Sequence, residues 1–274
     1  MVVDSVVQHK IRCGGEEYFM QVVPEPADVQ SFFAFSLPKA GSTLLNAMLQ
    51  DVCIECSMPV ISPYSSAFSN GILTNSIGSD LDHILFQRGY AYLGFRHFLP
   101  YDSSFDFSSI PVILLVRDPR DMLTSLYFSI KYSHALPDKK GSAFSKLKGE
   151  RHRAASIGID EFVLSVEEKY VGIYQEYMQK LIGMKNVHVF RYEDIIFDKF
   201  NWLFNMLEIV GLDLSSDSIQ EIASKHDIRP QEENVGSHIR QVTPGNYKKH
   251  LSVSCINKLN TAFTNVLKIF DYSC

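Results

Sequence analysis

Residues 32–45 constrain the fold more than any other stretch. The apolar run Phe32-Phe33-Ala34-Phe35 passes through Ser36-Leu37-Pro38-Lys39-Ala40-Gly41 into Ser42-Thr43-Leu44-Leu45. An apolar run, a turn holding Pro and Gly, and a hydroxyl-rich helix start read as strand, loop and helix, the repeating unit of α/β folds. Backbone N–H groups at such a helix start have no intrahelical partner and point outward, so they favour an anion. Lys39 adds a point charge within the turn, and Ser42 and Thr43 add hydroxyl donors. Residues Lys39, Ala40, Gly41, Ser42, Thr43 and Leu44 are therefore expected to cradle a phosphate or sulfate. The order of residues separates this loop from the ATPase type, G-x-x-x-x-G-K-[ST]. Here Lys39 precedes Gly41, and no glycine stands five residues ahead of a Gly-Lys pair.

The rest of the chain alternates strands with helices, which predicts an α/β class with a central parallel sheet. Strands are expected at 31–37, 90–97, 111–116 and 186–191, and the continuous apolar run Pro111–Val116 suits a central strand covered on both faces. Helices are expected at 42–53, from Pro119 to about residue 133, from a cap at Asp160 to about residue 182, and at 197–210, 217–226 and 252–270. Residues 6–23 alternate around Gly14-Gly15 and read as a β-hairpin closed by Pro24 and Pro26, within an N-terminal extension over 1–28. The Ser-, Pro-, Asn- and Gly-rich stretch 57–80 reads as a long loop region. The basic stretch around 138–158 reads as a flexible loop, either solvated, gating the site or attracting an anionic acceptor. A chain of 274 residues can bury one large core, so a single domain over 1–274 is expected.

A net charge of -5 argues against a general nucleic-acid binder, so any anion site must be local. The five cysteines, at 13, 53, 56, 255 and 274, are an odd number in a chain too long to need staples. The lone Cys53-x-x-Cys56 falls near a helix end, where the dipole does not lower a thiol pKa, and has no second ligand pair for zinc. Reduced thiols fit the cytoplasm, and no signal-peptide pattern or membrane span is visible.

Four ordered motifs carry a family resemblance. Pro38-Lys39-Ala40-Gly41-Ser42-Thr43 is the first. The second is Arg117-Asp118-Pro119-Arg120-Asp121 with Ser125 eight residues past Arg117. The third is Tyr192-Glu193-Asp194, and the fourth runs from Arg240-Gln241-Val242 through Gly245-Asn246-Tyr247-Lys248 to Leu251. Together they span about 31–251 and resemble the sulfotransferases that use 3′-phosphoadenylyl sulfate (PAPS), most closely the cytosolic type. The resemblance implies a three-layer α/β sandwich with a P-loop-like phosphate-binding loop. It implies that residues 39–44 hold the 5′-phosphosulfate, that Arg117 and Ser125 hold the 3′-phosphate, and that Tyr192 contacts the adenine. Arg240, Gln241 and Val242 would complete the 3′-phosphate grip. Gln241 and Val242 depart from the family's Lys-Gly, removing one charge and one close backbone approach, so the grip is expected to rest on Arg117, Ser125 and Arg240.

Phe95-Arg96-His97-Phe98-Leu99-Pro100 resembles the family's Lys-Thr-His-Leu-Pro, which implies His97 as the base that removes the acceptor proton. The family lysine is Phe95 here. On a strand, residues 95 and 97 share a face, so Arg96 is not expected to replace that lysine, and charge stabilisation is expected to fall on Lys39. The catalytic set expected from the resemblance is thus Lys39, His97 and Ser125. The implied reaction moves a sulfuryl group from PAPS to a hydroxyl or amine, releases the desulfated product PAP, and needs no metal. Two rivals stand beside it: a P-loop-type kinase, for which Asp118 would have to serve the metal ion, and a non-catalytic nucleotide-binding module, against which Lys39 and His97 argue together. The acceptor expected from the resemblance is a small molecule, a glycan or a lipid, and the sequence does not choose among them. Tyr18, Phe19, Tyr64 and Phe68 are candidates for an apolar pocket or for the core, and a second copy of the chain is a candidate partner.

Overall fold

The computed structural model describes residues 6–24, 26–237 and 239–273, so residues 1–5 of the expected extension and Cys274 lie outside the described residues. Two strands, β1 (Val7–Cys13) and β2 (Glu16–Val22), pair antiparallel as a hairpin turning at Gly14-Gly15, as the alternation predicts. The strands that follow are β3 (Phe32–Ser36), β4 (Val60–Ile61), β5 (Ala91–Phe95), β6 (Val112–Val116) and β7 (Val187–Arg191). They form one sheet in the order β4-β5-β3-β6-β7, and every pairing is parallel. All residues of β3, β5 and β6 are buried, which is why these strands read as continuous apolar runs rather than alternating ones. Beside them Phe33 stacks on Tyr92 at 4.4 Å between ring centroids, and Phe98, Phe105 and Phe107 join the same aromatic cluster.

The helices are α1 (Ser42–Glu55), α2 (Pro63–Ser69), α3 (Pro119–Phe128), α4 (Ser142–Ser156), α5 (Ile159–Lys180), α6 (Tyr192–Ile195), α7 (Lys199–Val210), α8 (Ser216–Lys225), α9 (Tyr247–His250), α10 (Val253–Ala262) and α11 (Thr264–Ile269). Because all five strands run the same way, the segments leaving β3, β5, β6 and β7 emerge at one edge of the sheet, where open α/β sheets bind ligands. Those segments carry Lys39, Arg96-His97, Arg117 and Tyr192.

Four sequence expectations are corrected. Residues 138–158 are not a flexible loop: most of them form α4, which buries Ala143 and Ala154. Arg151 of α4 donates through Nε to the Ile130 carbonyl at 3.2 Å and through its other nitrogen to the His134 carbonyl. Alternating Lys and Arg suggested solvation, but small residues placed for close contact decide the packing. The stretch 57–80 holds β4, α2 and two short 3₁₀ turns rather than an open loop, and the hairpin docks on it. Tyr18 donates to the Pro63 carbonyl at 3.0 Å, and Arg12 pairs with Asp80 at 2.6 Å. Asp160 does not cap α5, which starts after Gly158; its carboxylate accepts from the Ser252 N–H at 3.2 Å. The helix expected over 252–270 divides into α10 and α11 at Phe263, whose fully buried ring is wanted by the core.

The expected helix after Pro119 also changes character. Its α3 portion ends at Phe128, and residues Ser129–Ser133 continue as a wider π-helical turn. Such turns recur at functional sites because they rotate the following side chains by an extra residue. Here the turn brings Ser129 toward the loop after β3.

Candidate active site

The loop after β3 is bent by two left-handed residues, Lys39 at φ 61° and Gly41 at φ 97°. For lysine this conformation costs energy and persists only where the surroundings enforce it. Gly41 answers a second demand, since a Cβ there would lie 3.0 Å from the Tyr192 ring. Among the described residues no side chain caps the N-terminus of α1, so its first N–H groups are left for a ligand. The Lys39 ammonium donates to Ser129 Oγ at 3.0 Å, on the π-helical turn. Burial is the first cause that lowers the Lys39 pKa, to about 8; the charges of Arg96, Arg117 and Arg240 follow.

Arg117 leaves β6 buried, donates to the Lys39 carbonyl at 3.0 Å and stacks on the Tyr192 ring with its guanidinium carbon 4.3 Å from the ring centre. Its Nε is buried without a hydrogen-bond partner among the described residues, as is Nε2 of Gln241. Buried donors are normally paired, and both of these belong to residues that line one cavity, where an accepting ligand would pair them. Tyr192 donates to the Val242 carbonyl at 3.2 Å, which ties the 240–242 segment to the end of β7. Arg240 is less free than the motif suggests. Its guanidinium pairs with Glu233, donates to Asn246 at 2.8 Å and lies 4.3 Å over the Phe128 ring. Burial, then Arg117, lowers its pKa to about 10.

Asp121, on α3, accepts from the Gly245 N–H at 2.6 Å and the Tyr247 N–H at 2.8 Å, and so fixes the 240–247 segment over the helix. Asp121→Ala leaves buried donors unpaired. It is expected to cost at least about 1–3 kcal/mol, read from chemical denaturation. A variant that keeps wild-type stability would show that the segment does not depend on this carboxylate.

His97 stands two residues beyond β5. Its Nδ1 is 2.8 Å from the Phe98 carbonyl, which can only accept, so Nδ1 carries the proton and donates. The Nε2 lone pair is then free to accept, here from Thr74 Oγ1 at 2.9 Å. Tyr64 holds the same carbonyl at 3.0 Å and packs its ring 4.6 Å from the imidazole. Burial lowers the His97 pKa, with the Phe98 hydrogen bond opposing and the Lys169 charge adding, so the ring stays neutral at pH 7.

These groups line one cavity of about 690 Å³. Lys39, Gly41, Ser42, Thr43, Leu44, His97, Arg117, Ser125, Tyr192, Arg240, Gln241 and Val242 all face it. Ala40 does not; it is fully buried beneath the loop. Of the aromatic candidates, Phe68 lines the cavity, Tyr64 supports His97, Tyr18 is buried on the hairpin and Phe19 is exposed. Sequence reasoning missed Thr74, Ser129 and Arg96, which also line it. Ser129 was within reach, because it stands one helical turn after Ser125. Strand alternation turns Arg96 away from the face of His97, but the strand ends at Phe95 and the alternation rule ends with it. For a kinase, Asp118 is poorly placed, because both its oxygens are held by the buried Arg120 at 2.9 and 2.6 Å.

A parallel sheet with an uncapped helix after β3, and cations collected at its carboxyl edge, defines an anion-binding α/β fold. Residues 30–271 match the sulfotransferase domain model, and the chain belongs to the PAPS-dependent sulfotransferase family. Among solved structures, mouse sulfotransferase SULT7A1 complexed with PAP is similar at 16% identity and a TM-score of 0.57, over 88% of this chain and 86% of that one. Retinol dehydratase in complex with androsterone and inactive cofactor PAP is similar at 15% identity and a TM-score of 0.51, over 95% and 90%. These likenesses concern the fold. Among curated protein sequences none matches this one. No helix among the described residues is long and apolar enough to cross a membrane.

Proposed function

We propose that this protein moves a sulfuryl group from PAPS to a hydroxyl or amine of a small acceptor, within one domain to which the hairpin is an extension. The observation that carries the reading is the convergence of Lys39, Arg117 and Arg240 on the cavity that also holds His97, with the Arg117 Nε buried and unpaired. Lys39 and the N–H groups opening α1 take the 5′-phosphosulfate, while Arg117 and Ser125 take the 3′-phosphate. Gln241 supplies an uncharged donor where the family has lysine. Tyr192 braces Arg117 as well as meeting the nucleotide. His97 Nε2 accepts the acceptor proton, in the place where it now accepts from Thr74. Phe68, Ile72, Phe98, Leu147 and Ile173 give the cavity an apolar wall that suits an apolar acceptor body, in keeping with a neighbour solved with androsterone.

Calorimetry with PAP and with its analogue lacking the 3′-phosphate tests the donor assignment. Arg117→Ala is expected to weaken PAP about 10–100-fold, the worth of a charge-assisted contact, and the analogue far less. Arg240→Ala should show the same selectivity with a smaller loss, because Glu233 and Asn246 already occupy its nitrogens. Equal losses for both ligands would remove these arginines from the 3′-phosphate site.

A further inference from the structure

Arg96 is a charged group at this site to which none of the four motifs gives a task; Lys146, Glu150, Lys169, Glu176 and Lys199 share that status, and Arg96 is the arginine among them. It follows β5 directly, is only partly exposed, and lines the same cavity as Lys39 and His97. Among the described residues no hydrogen bond or ion pair engages its guanidinium. The other buried arginines are all engaged: Arg120 by Asp118, Arg240 by Glu233, and Arg117 by the Lys39 carbonyl and the Tyr192 ring. Burying a guanidinium without a partner is costly, and a fold tolerates it where a ligand supplies the anion. Lys39 and Arg96 line one cavity, near enough that the Arg96 charge disfavours the Lys39 ammonium, so an anion held there would meet both. Arg96 is also the sequence neighbour of the proposed base. One group of the donor belongs between a leaving-phosphate lysine and an acceptor-proton histidine, and that is the transferring sulfuryl group itself.

We propose that Arg96 is a catalytic residue that grips the non-bridging oxygens of the transferring sulfuryl group and holds it in line between donor and acceptor; this rests on the donor reading above. The sulfur–oxygen bond to the 5′-phosphate breaks with its electron pair left on the phosphate oxygen, releasing PAP. The acceptor oxygen forms the new bond to sulfur, and its proton passes to His97 Nε2. A planar fork matches two oxygens of an anionic group and fixes its orientation, which an ammonium cannot do. Such positioning is where group transfer with little covalent help gains rate.

The experiment compares wild type, Arg96→Ala, Arg96→Gln and Arg96→Lys, each checked for thermal stability. Titration with PAP, which lacks the sulfuryl group, is set beside turnover of PAPS with a neutral phenol and with a phenol carrying a carboxylate. The expected result is PAP affinity within about threefold of wild type and turnover lowered about 10²-fold for both phenols, with partial recovery in Arg96→Lys. Parallel loss of PAP affinity and turnover would make Arg96 a nucleotide or structural residue and overturn the assignment. So would a KM effect confined to the carboxylate-bearing phenol, or unchanged turnover. Should Arg96→Ala fail to fold, Arg96→Gln and Arg96→Lys carry the same comparison. Wild-type protein that does not bind PAP would strike the donor reading rather than the role of Arg96.

Discussion

Alanine in place of His97 is expected to lower turnover roughly 10²–10⁴-fold on an alcohol that ionises with difficulty, with PAP affinity nearly unchanged. The separation follows from geometry. His97 lines the cavity and its Nδ1–H is committed to the Phe98 carbonyl at 2.8 Å, which leaves Nε2 as the nitrogen that can accept. The loss should shrink on an acidic phenol, which needs less help to give up its proton. The pH profile carries an independent check with a definite sign. Burial holds the His97 pKa below the ordinary 6.5, so the neutral base persists to lower pH and the acidic limb of kcat/KM should lie below that value. Full activity of the variant on a poorly acidic alcohol would leave His97 as a structural residue tied to Phe98 and Thr74.

Lys39→Ala is expected to cost about 10²–10³ in turnover with the fold intact, because charge grows on the leaving phosphate where the ammonium sits. Its left-handed backbone is better tolerated by glycine, so Lys39→Gly is the control that separates lost charge from changed loop strain. Burial and three neighbouring cations bring the Lys39 pKa to about 8. A bound polyanion reverses that penalty, so nucleotide binding near pH 8 should take up about half a proton. Titrations in buffers of differing ionisation heat measure this uptake directly, and it should vanish in Lys39→Ala. Turnover within a few-fold of wild type would sink the assignment.

The parts of the site legible in sequence are those where local chemistry and geometry coincide. An apolar run, a Pro-Lys-x-Gly turn and a hydroxyl helix start could form little else than a strand, a tight loop and a helix. Arg117, Tyr192 and His97 were legible because each stands just beyond a strand, and the ends of parallel strands meet by topology. The α4 helix is not legible in the charge pattern, which describes a solvated face and does not reveal the opposite face that packs. Phe95 and Arg96 show the same limit. Alternation tells which way a side chain turns only while the strand lasts, and where β5 stops depends on its pairing with β3, not on its own residues.

Period, turn chemistry and motif spacing act over a few residues, so they suffice for the class of fold, for the strand, turn and helix over 32–55 and for the order of the strand-end residues. Which of those residues keep free valences is set by contacts across the chain. Glu233 and Asn246 engage Arg240, Asp118 engages Arg120, Arg96 lines the cavity unengaged and the Arg117 Nε is buried without a partner among the described residues. The partners come from segments far apart in the chain, such as Glu193 on the Asp118 N–H and Asp121 on Gly245 and Tyr247. Whether a buried charge is satisfied is a property of the packed whole, because desolvation and pairing exist only once the chain has closed around it.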